Sequence, residues 1–317
     1  MGRKILYLFH LILLVLFFTL SHSINAQDLS SNNTDGTHLD DSKNVSSAPG
    51  RLLVISSILP MDEFVKKVGG DMIESSLIIP AGIEPHDFDP TINQIQLINS
   101  ADAIVYNGLG LENWLTKIDP IYKIDASSGL NASYSDKRNM TLDPHVWLDP
   151  VLAKQEVENI RDGLISIDPG NKETYNSNAQ SFLVDLDELD KTIRDELESC
   201  EKKDFIAFHN SFSYFAKRYG LAQHSVSESG PETEVTPGRL AEIINIAKNL
   251  DLHVIFSEEL MDPRYALVIA QEIPDGKVLV LSPIEGLTKN EQIAEIGYID
   301  KMRENVRNLS VGLECNQ

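Results

Sequence analysis

Hydrophobic and polar residues follow two alternating patterns beyond the first fifty positions. Short apolar runs rich in branched residues occupy residues 51–58, 75–80 and 102–110, and each run predicts a strand. Between them, residues 61–70 and 91–101 repeat their apolar positions at helical spacing. Because strands that alternate with helices form parallel sheets covered on both faces, this part of the chain predicts an α/β unit.

The pattern changes in the middle of the chain, where two helices follow each other without a strand. Residues 151–170 predict the first helix, and residues 171–203 predict a second one of unusual length. Roughly thirty helical residues would span roughly 45 Å. Its apolar positions recur at intervals of three and four, which predicts one buried side formed by Leu183, Leu186, Leu189, Ile193 and Leu197.

Alternation resumes in the last third of the chain. The pattern predicts strands at 205–209, 253–258 and 277–283, helices at 210–220, 239–250 and 262–273, and a closing helix that ends near residue 312. Two alternating α/β halves therefore flank one long helix. Ligands of open parallel sheets bind beyond the carboxyl ends of the strands, so the loops at those ends are the places to search for chemistry.

The amino terminus has the composition of an export signal. Two basic residues precede an apolar stretch from Ile5 to Leu20, and small and polar residues then continue to Ala26. This order predicts a secretory signal over residues 1–26, although an apolar stretch only a little too short to span a bilayer leaves an uncleaved anchor as an alternative. Residues 27–50 contain almost nothing apolar and predict a flexible tether.

The net charge of the chain limits the kinds of molecule that it can bind. Lysine and arginine number 27 against 48 aspartates and glutamates, which gives a net charge of −21. An acidic surface of this size repels nucleic acid and attracts cations, so we expect no nucleic-acid partner. Export further predicts a position on the extracellular or periplasmic face, tethered to or near the membrane.

Two features are consistent with an exported chain. Cys200 and Cys315 could pair in an oxidising compartment, but the sequence does not supply the distance that a disulfide needs, so pairing and two free thiols both stay open. Five N-x-S/T triplets predict possible glycosylation sites at Asn32, Asn44, Asn131, Asn139 and Asn308.

Three of the eight histidines share one structural context. His86 follows the run at 75–80, His145 lies in the loop "TLDPHVWLDP", and His209 ends the strand "FIAFH". Each lies at a strand end or in an adjoining loop, and their wide spacing suits a site assembled in a cleft between lobes. His224 and His253 lack this context, so we expect structural or surface roles for them.

The same segments resemble the bacterial metal-binding receptors that deliver zinc or manganese to ABC-type importers, solute-binding protein family 9. The resemblance extends from about residue 51 to about residue 308, with the motifs in order: "GIEPHDFDPT", "NGLGLENWLTK", "DPHVWLDP", "IDPGNKETYNSNAQSFLVDLDEL", "FHNSFSYFAKRYGL", "VTPGRLAEIINIAK" and "VIFSEELMDPRYALVIAQE".

That resemblance implies two α/β lobes, here residues 51–170 and 202–317, joined by a rigid helix over residues 171–201, with a metal ion between the lobes. It implies His86, His145 and His209 as metal ligands. It also implies a membrane permease, with its cytoplasmic ATPase, as the partner of a receptor that we expect to be a monomer.

The fourth ligand departs from the family pattern. The acidic residue of the last strand-loop is matched here by Ser282, a poor ligand for a divalent cation. Glu285 is the candidate replacement, while water, Glu84 and Asp87 stay open as further candidates.

Ligand chemistry favours zinc as the cargo, because neutral imidazoles suit zinc and manganese prefers more oxygen. Manganese is the alternative.

A secreted zinc hydrolase is a second hypothesis for the function, because three protein ligands with an open position form a catalytic site. Against it, the chain has no HExxH or GxSxG motif, and Glu258 is its only proposed base. An adhesin without a metal is a third. We therefore expect metal capture and delivery by a protein that is not an enzyme.

Overall fold

A computed structural model of the protein describes residues 50–118, 122–136, 141–227, 230 and 234–316. The predicted signal or anchor over residues 1–26 lies outside these ranges, as does the predicted tether apart from Gly50. No helix within the described ranges has both the length and the hydrophobicity that crossing a bilayer requires.

Strands and helices alternate on both sides of one long helix. The ten strands of the described ranges are β1 Leu52–Ser56, β2 Ile73–Leu77, β3 Ala103–Tyr106, β4 Lys123–Asp125, β5 Tyr134–Asp136, β6 Thr141–Leu142, β7 Asp204–Ala207, β8 Ala222–Ser225, β9 Val254–Ser257 and β10 Lys277–Val280. The α-helices of the same ranges are α1 Leu59–Gly69, α2 Ile92–Ser100, α3 Pro150–Ile167, α4 Lys172–Glu198, α5 Ser213–Tyr219, α6 Pro237–Asn249, α7 Arg264–Gln271, α8 Lys289–Ile293 and α9 Tyr298–Gly312.

Two four-stranded sheets form the centres of the two halves. The first has the strand order β2-β1-β3-β4 and the second has the order β10-β9-β7-β8. All pairs in both sheets are parallel. The carboxyl ends of the strands in each sheet therefore meet at one edge. The predicted fold class, two α/β lobes with mostly parallel sheets and one long helix, is confirmed.

Helix α4 is the longest element, with 27 residues and a length of about 40 Å. The five aliphatic residues that sequence periodicity assigns to its inner side are all buried. Helix α4 contacts α1 and α3 from the first half of the chain and α5 and α9 from the second. Helix α4 therefore joins helices that pack on both sheets, while the domain boundaries given above stay a prediction.

Several short elements of the structure have no sequence pattern that predicts them. Strand β8 occupies Ala222–Ser225, directly after the end of α5, where no strand was predicted. Gly220 ends that helix in a left-handed conformation (φ 69°) and turns the chain back along β7. Strand β8 has only four residues at the edge of its sheet, so its polar residues give no apolar run to recognise. Strand β4 and the β5–β6 hairpin are similarly short.

Cys200 and Cys315 form a disulfide, which answers the question that the sequence left open. Cys200 lies just beyond the end of α4, and Cys315 lies just beyond the end of α9. The bond therefore ties the end of the long helix to the end of the chain and closes a separation of 115 residues.

We expect reduction of this disulfide to lower the free energy of unfolding by about 2–4 kcal/mol, because the bond restricts the unfolded chain. Guanidinium titration of the purified protein, with and without a reductant, measures the difference. The Cys200→Ser/Cys315→Ser variant is the control and should show the same loss with no further response to reductant. Identical unfolding midpoints for the oxidised and reduced parent would contradict a stabilising bond.

Candidate metal centre

Four side chains from distant parts of the chain converge in one place. His86 follows β2 in a short 3₁₀ turn, His145 precedes α3, His209 follows β7 and Glu285 follows β10. One potential ligand atom from each lies within 4.8 Å of the corresponding atoms of the other three. The structure thus brings together all three predicted histidines and the predicted fourth candidate.

The distances among these atoms match the edges of a small tetrahedron. The Nε2 atom of His145 lies 3.3 Å from that of His86 and 3.2 Å from that of His209. The Oε1 atom of Glu285 lies 2.9 Å from Nε2 of His145, 3.2 Å from that of His86 and 3.8 Å from that of His209. Ligands about 2.0–2.1 Å from a tetrahedral zinc ion would lie roughly 3.3 Å apart. The arrangement therefore has the right size for one four-coordinate ion.

Two of the imidazoles are held by buried carboxylates. The Nδ1 atom of His145 lies 2.8 Å from Oδ1 of Asp143, and the Nδ1 atom of His209 lies 2.7 Å from Oε1 of Glu258. Each carboxylate also accepts the backbone N–H of its own histidine. A carboxylate on Nδ1 leaves the lone pair on Nε2 and fixes the orientation of the ring, as in the outer shell of many metal sites.

His86 is held differently and is the most accessible of the four residues. Its side chain is 26% exposed, whereas the side chains of the other three are at most 5% exposed. Its backbone N–H donates to Oε1 of Glu84 at 3.3 Å, and Pro85 precedes it in the 3₁₀ turn. A restricted backbone with one open face makes His86 the ring that an incoming ion would meet first.

Charges at the site compensate each other in the absence of an ion. Burial disfavours the charged imidazole of His145, but the hydrogen bonds and charges of Asp143 and Glu285 outweigh it and raise the pKa of His145 to about 10. Burial alone would raise the pKa of Glu285, but the neighbouring histidines hold it well below its usual range, with His86 contributing most. A proton on His145 therefore faces an ionised Glu285 in the place where an ion would bind.

Further carboxylates border the site. A small pocket beside it is lined by Glu84, Glu258, Glu259, Leu260, Pro283, Glu285 and Gly286. Burial, together with the charge of Glu285, raises the pKa of Glu84 to about 9. Oε2 of Glu258 and Oε2 of Glu285 are buried without a hydrogen-bond partner in the described part of the chain. Such an accumulation of buried acceptor atoms favours a cation.

The other sequence candidates lie outside this group. Asp87 is exposed, and Ser282 donates its hydroxyl to Glu259. His224 contacts Asp204 at 2.8 Å, and Nδ1 of His253 lies 2.9 Å from the backbone oxygen of Pro274, so both have structural partners.

The sequence pattern does not predict the two residues that orient the imidazoles. Asp143 is two positions before His145 in "DPH", a spacing that could have indicated it. The sequence proposes Glu258 only as a hydrolytic base, and its contact with His209 depends on the pairing of β7 with β9.

Known proteins with similar sequences share this fold. The family described as "Zinc-uptake complex component A periplasmic" matches residues 54–312. The high-affinity zinc uptake system protein ZnuA of Bacillus subtilis is 36% identical over 274 residues, which cover 81% of this chain and 86% of that protein.

Solved structures agree with that match. The Zn(II)-bound ZnuA-like domain of Streptococcus pneumoniae AdcA has a TM-score of 0.74 and 33% identity, covering 84% of this chain and all of that domain. The chain spans 56% of the whole AdcA lipoprotein. The laminin-binding protein Lmb of Streptococcus agalactiae, described as bifunctional with adhesin and metal-transporting activity, has a TM-score of 0.77 and 32% identity over 83% of this chain and 99% of its own.

The family match covers most of the chain, and it agrees with the two-lobe fold and with the motifs that surround the clustered histidines. This chain therefore belongs to the zinc-uptake component A family, whose members are receptors of metal transport and not enzymes.

Proposed function

We propose that this protein captures a zinc ion outside the cytoplasm, with His86, His145, His209 and Glu285 as its four ligands. The observation that carries the proposal is the convergence of three Nε2 atoms and one carboxylate oxygen within 4.8 Å. The carboxylates behind His145 and His209 support it, because they present each Nε2 lone pair to the centre.

Zinc fits this donor set better than manganese. Three imidazole nitrogens and one carboxylate oxygen form a four-coordinate site of the kind that zinc occupies, whereas manganese prefers a shell with more oxygen and higher coordination. The 2% exposure of Glu285 and His209 leaves little room for additional water ligands. The Zn(II) bound to the AdcA domain, a relative of similar fold, also supports this assignment.

The same geometry disfavours a hydrolase. A catalytic zinc keeps one coordination position open for water, whereas Glu285 occupies the fourth corner of this tetrahedron. With four protein ligands the site is closed, which is the arrangement expected for holding a cargo ion.

We further propose that the bound ion is delivered to a membrane permease driven by a cytoplasmic ATPase. The B. subtilis relative is named as part of a high-affinity uptake system, which supports this role. In this proposal, the protein acts as an exported monomer, and residues 1–50 keep it near the membrane as an anchor or tether. Glycosylation of the five triplets stays a prediction.

Replacing any one of the three histidines should weaken zinc binding by at least about 100-fold, because loss of even an outer-shell partner commonly costs 10–100-fold. The variants are His86→Ala, His145→Ala and His209→Ala. Competition with a chromophoric zinc chelator measures the affinity after the metal has been stripped. His224→Ala is the matched control, because it removes an imidazole that pairs with Asp204 and lies outside the cluster. Unchanged affinity in all three variants would remove the site assignment.

Zinc binding near pH 7.5 should release about one proton from His145, because its pKa of about 10 keeps the ring protonated in the metal-free protein. The apparent affinity should accordingly increase with pH, by about tenfold per unit between pH 7 and 9. Calorimetric titrations in buffers of different ionisation enthalpy count the released protons.

Asp143→Asn is the control for this proton count. It removes the carboxylate that contacts Nδ1 of His145, so the pKa of His145 should fall and fewer protons should be released. Zinc binding by the parent without proton release at pH 7.5 would show that His145 is neutral before the ion arrives.

A further inference from the structure

The turn that presents Glu285 has an unusual backbone. Ile284, the residue directly before Glu285, is fully buried and has φ of +59°. A β-branched residue rarely adopts this left-handed conformation, because its Cβ approaches the backbone too closely. Such a conformation persists only where the surroundings determine it. The contacts around residues 282–284 therefore determine the turn that carries Glu285.

Ser282 forms the centre of these contacts. Its hydroxyl accepts the backbone N–H of Ile284 at 3.1 Å and donates to Oε1 of Glu259. Its side chain therefore joins the strained residue to a carboxylate outside the turn. The position that the family resemblance assigned to the fourth ligand thus holds a residue that binds the turn itself.

Helix α9 holds the backbone of the same turn. The side-chain oxygen of Asn305 accepts the backbone N–H of Ser282 at 2.7 Å, and its NH₂ group donates to the backbone oxygen of Ser282 at 2.7 Å. The next residue is also held, because Nε1 of Trp147 donates to the backbone oxygen of Pro283 at 2.8 Å. Asn305 is 1% exposed, so water does not compete for these bonds.

Lys301, one helical turn before Asn305, supplies the charge that anchors Glu259. It is only 2% exposed, and its Nζ lies 3.0 Å from Glu259 and 2.6 Å from Glu291. A buried ammonium group of this kind is retained only with carboxylate partners. Here one partner, Glu259, also receives the hydroxyl of Ser282, which completes a path from Lys301 to the turn.

We propose that Lys301 and Ser282 are positioning residues for Glu285: Lys301 acts through Glu259 on the Ser282 hydroxyl, Asn305 holds the backbone of Ser282, and these contacts stabilise the left-handed turn at Ile284 that aims the Glu285 carboxylate at the three imidazoles. This inference rests on the proposed function, because it assigns Glu285 as a ligand. Neither Lys301 nor Ser282 is among the four residues of the cluster, so their effect on the ion is transmitted through the turn.

The test measures zinc affinity in the single variants Lys301→Met, Ser282→Ala and Glu285→Gln. Two double variants combine Glu285→Gln with Lys301→Met or with Ser282→Ala. Lys301→Met and Ser282→Ala should each weaken zinc binding by about 10–100-fold, the effect typical of an outer-shell partner. In the Glu285→Gln background, neither should have a further effect, because the group that they position has lost its ligating charge.

Four comparisons separate positioning from a general loss of stability. Lys301→Arg keeps the buried charge and should restore most of the affinity, while Arg303→Met, an exposed cation removed from the same helix, should leave affinity unchanged. Thermal unfolding of each metal-free variant records its stability independently. With cobalt(II) as the probe, the visible absorption of Lys301→Met should resemble that of Glu285→Gln and differ from the tetrahedral spectrum of the parent.

The possible outcomes distinguish this inference from the proposed function. Failure of the parent to bind zinc would overturn the proposed function. If the parent binds and Glu285→Gln weakens binding, but Lys301→Met and Ser282→Ala keep full affinity, only the positioning role is overturned. If Lys301→Met and Ser282→Ala weaken zinc binding equally in the parent and in Glu285→Gln, the positioning role is also overturned. Lys301 and Ser282 would then affect the ion by a route other than Glu285.

Discussion

The close approach of three imidazole nitrogens to one carboxylate oxygen is the constraint on which the site depends. The Nε2 atom of His145 lies 3.2–3.3 Å from those of His86 and His209, so these nitrogens cannot all present lone pairs to each other at low cost, and a buried carboxylate such as Glu285 needs a compensating charge. Without an ion, a proton on His145 supplies part of this compensation. A divalent cation supplies more, so the ion and the proton compete for the same place.

Holding the three histidines and Glu285 together requires support from both halves of the chain. His86 and His145 come from the first half, and His209 and Glu285 come from the second. Helix α4 contacts helices of both halves, and α9 contacts α1 as well as β9 and β10. The disulfide fastens the ends of α4 and α9 near each other. One set of helices therefore limits the separation of the two halves and also carries the residues that contact the turn before Glu285.

Much of this arrangement could be predicted from local patterns, and the misses have a common cause. Long periodic segments such as α4 and strand ends such as that of "FIAFH" were recognised because their signal is contained within a few neighbouring residues. Strand β8 was missed because its residues are polar at a sheet edge. Asp143 and Glu258 were not recognised as imidazole partners, and in the case of Glu258 the contact depends on which strands lie side by side.

The sequence by itself determined the alternation of strands and helices, the long central helix, and three histidines placed at the ends of strands or in adjoining loops. Only the tertiary structure decided that Glu285, and not Ser282 or Asp87, reaches the histidines, and that Cys200 meets Cys315. The reason is physical: local periodicity is encoded over a few residues, whereas the contact between His86 and Glu285 joins positions 199 residues apart. The close approach of these two side chains in space is set by the packing of sheets and helices and by a strained turn. Neither feature leaves a periodic pattern in the sequence.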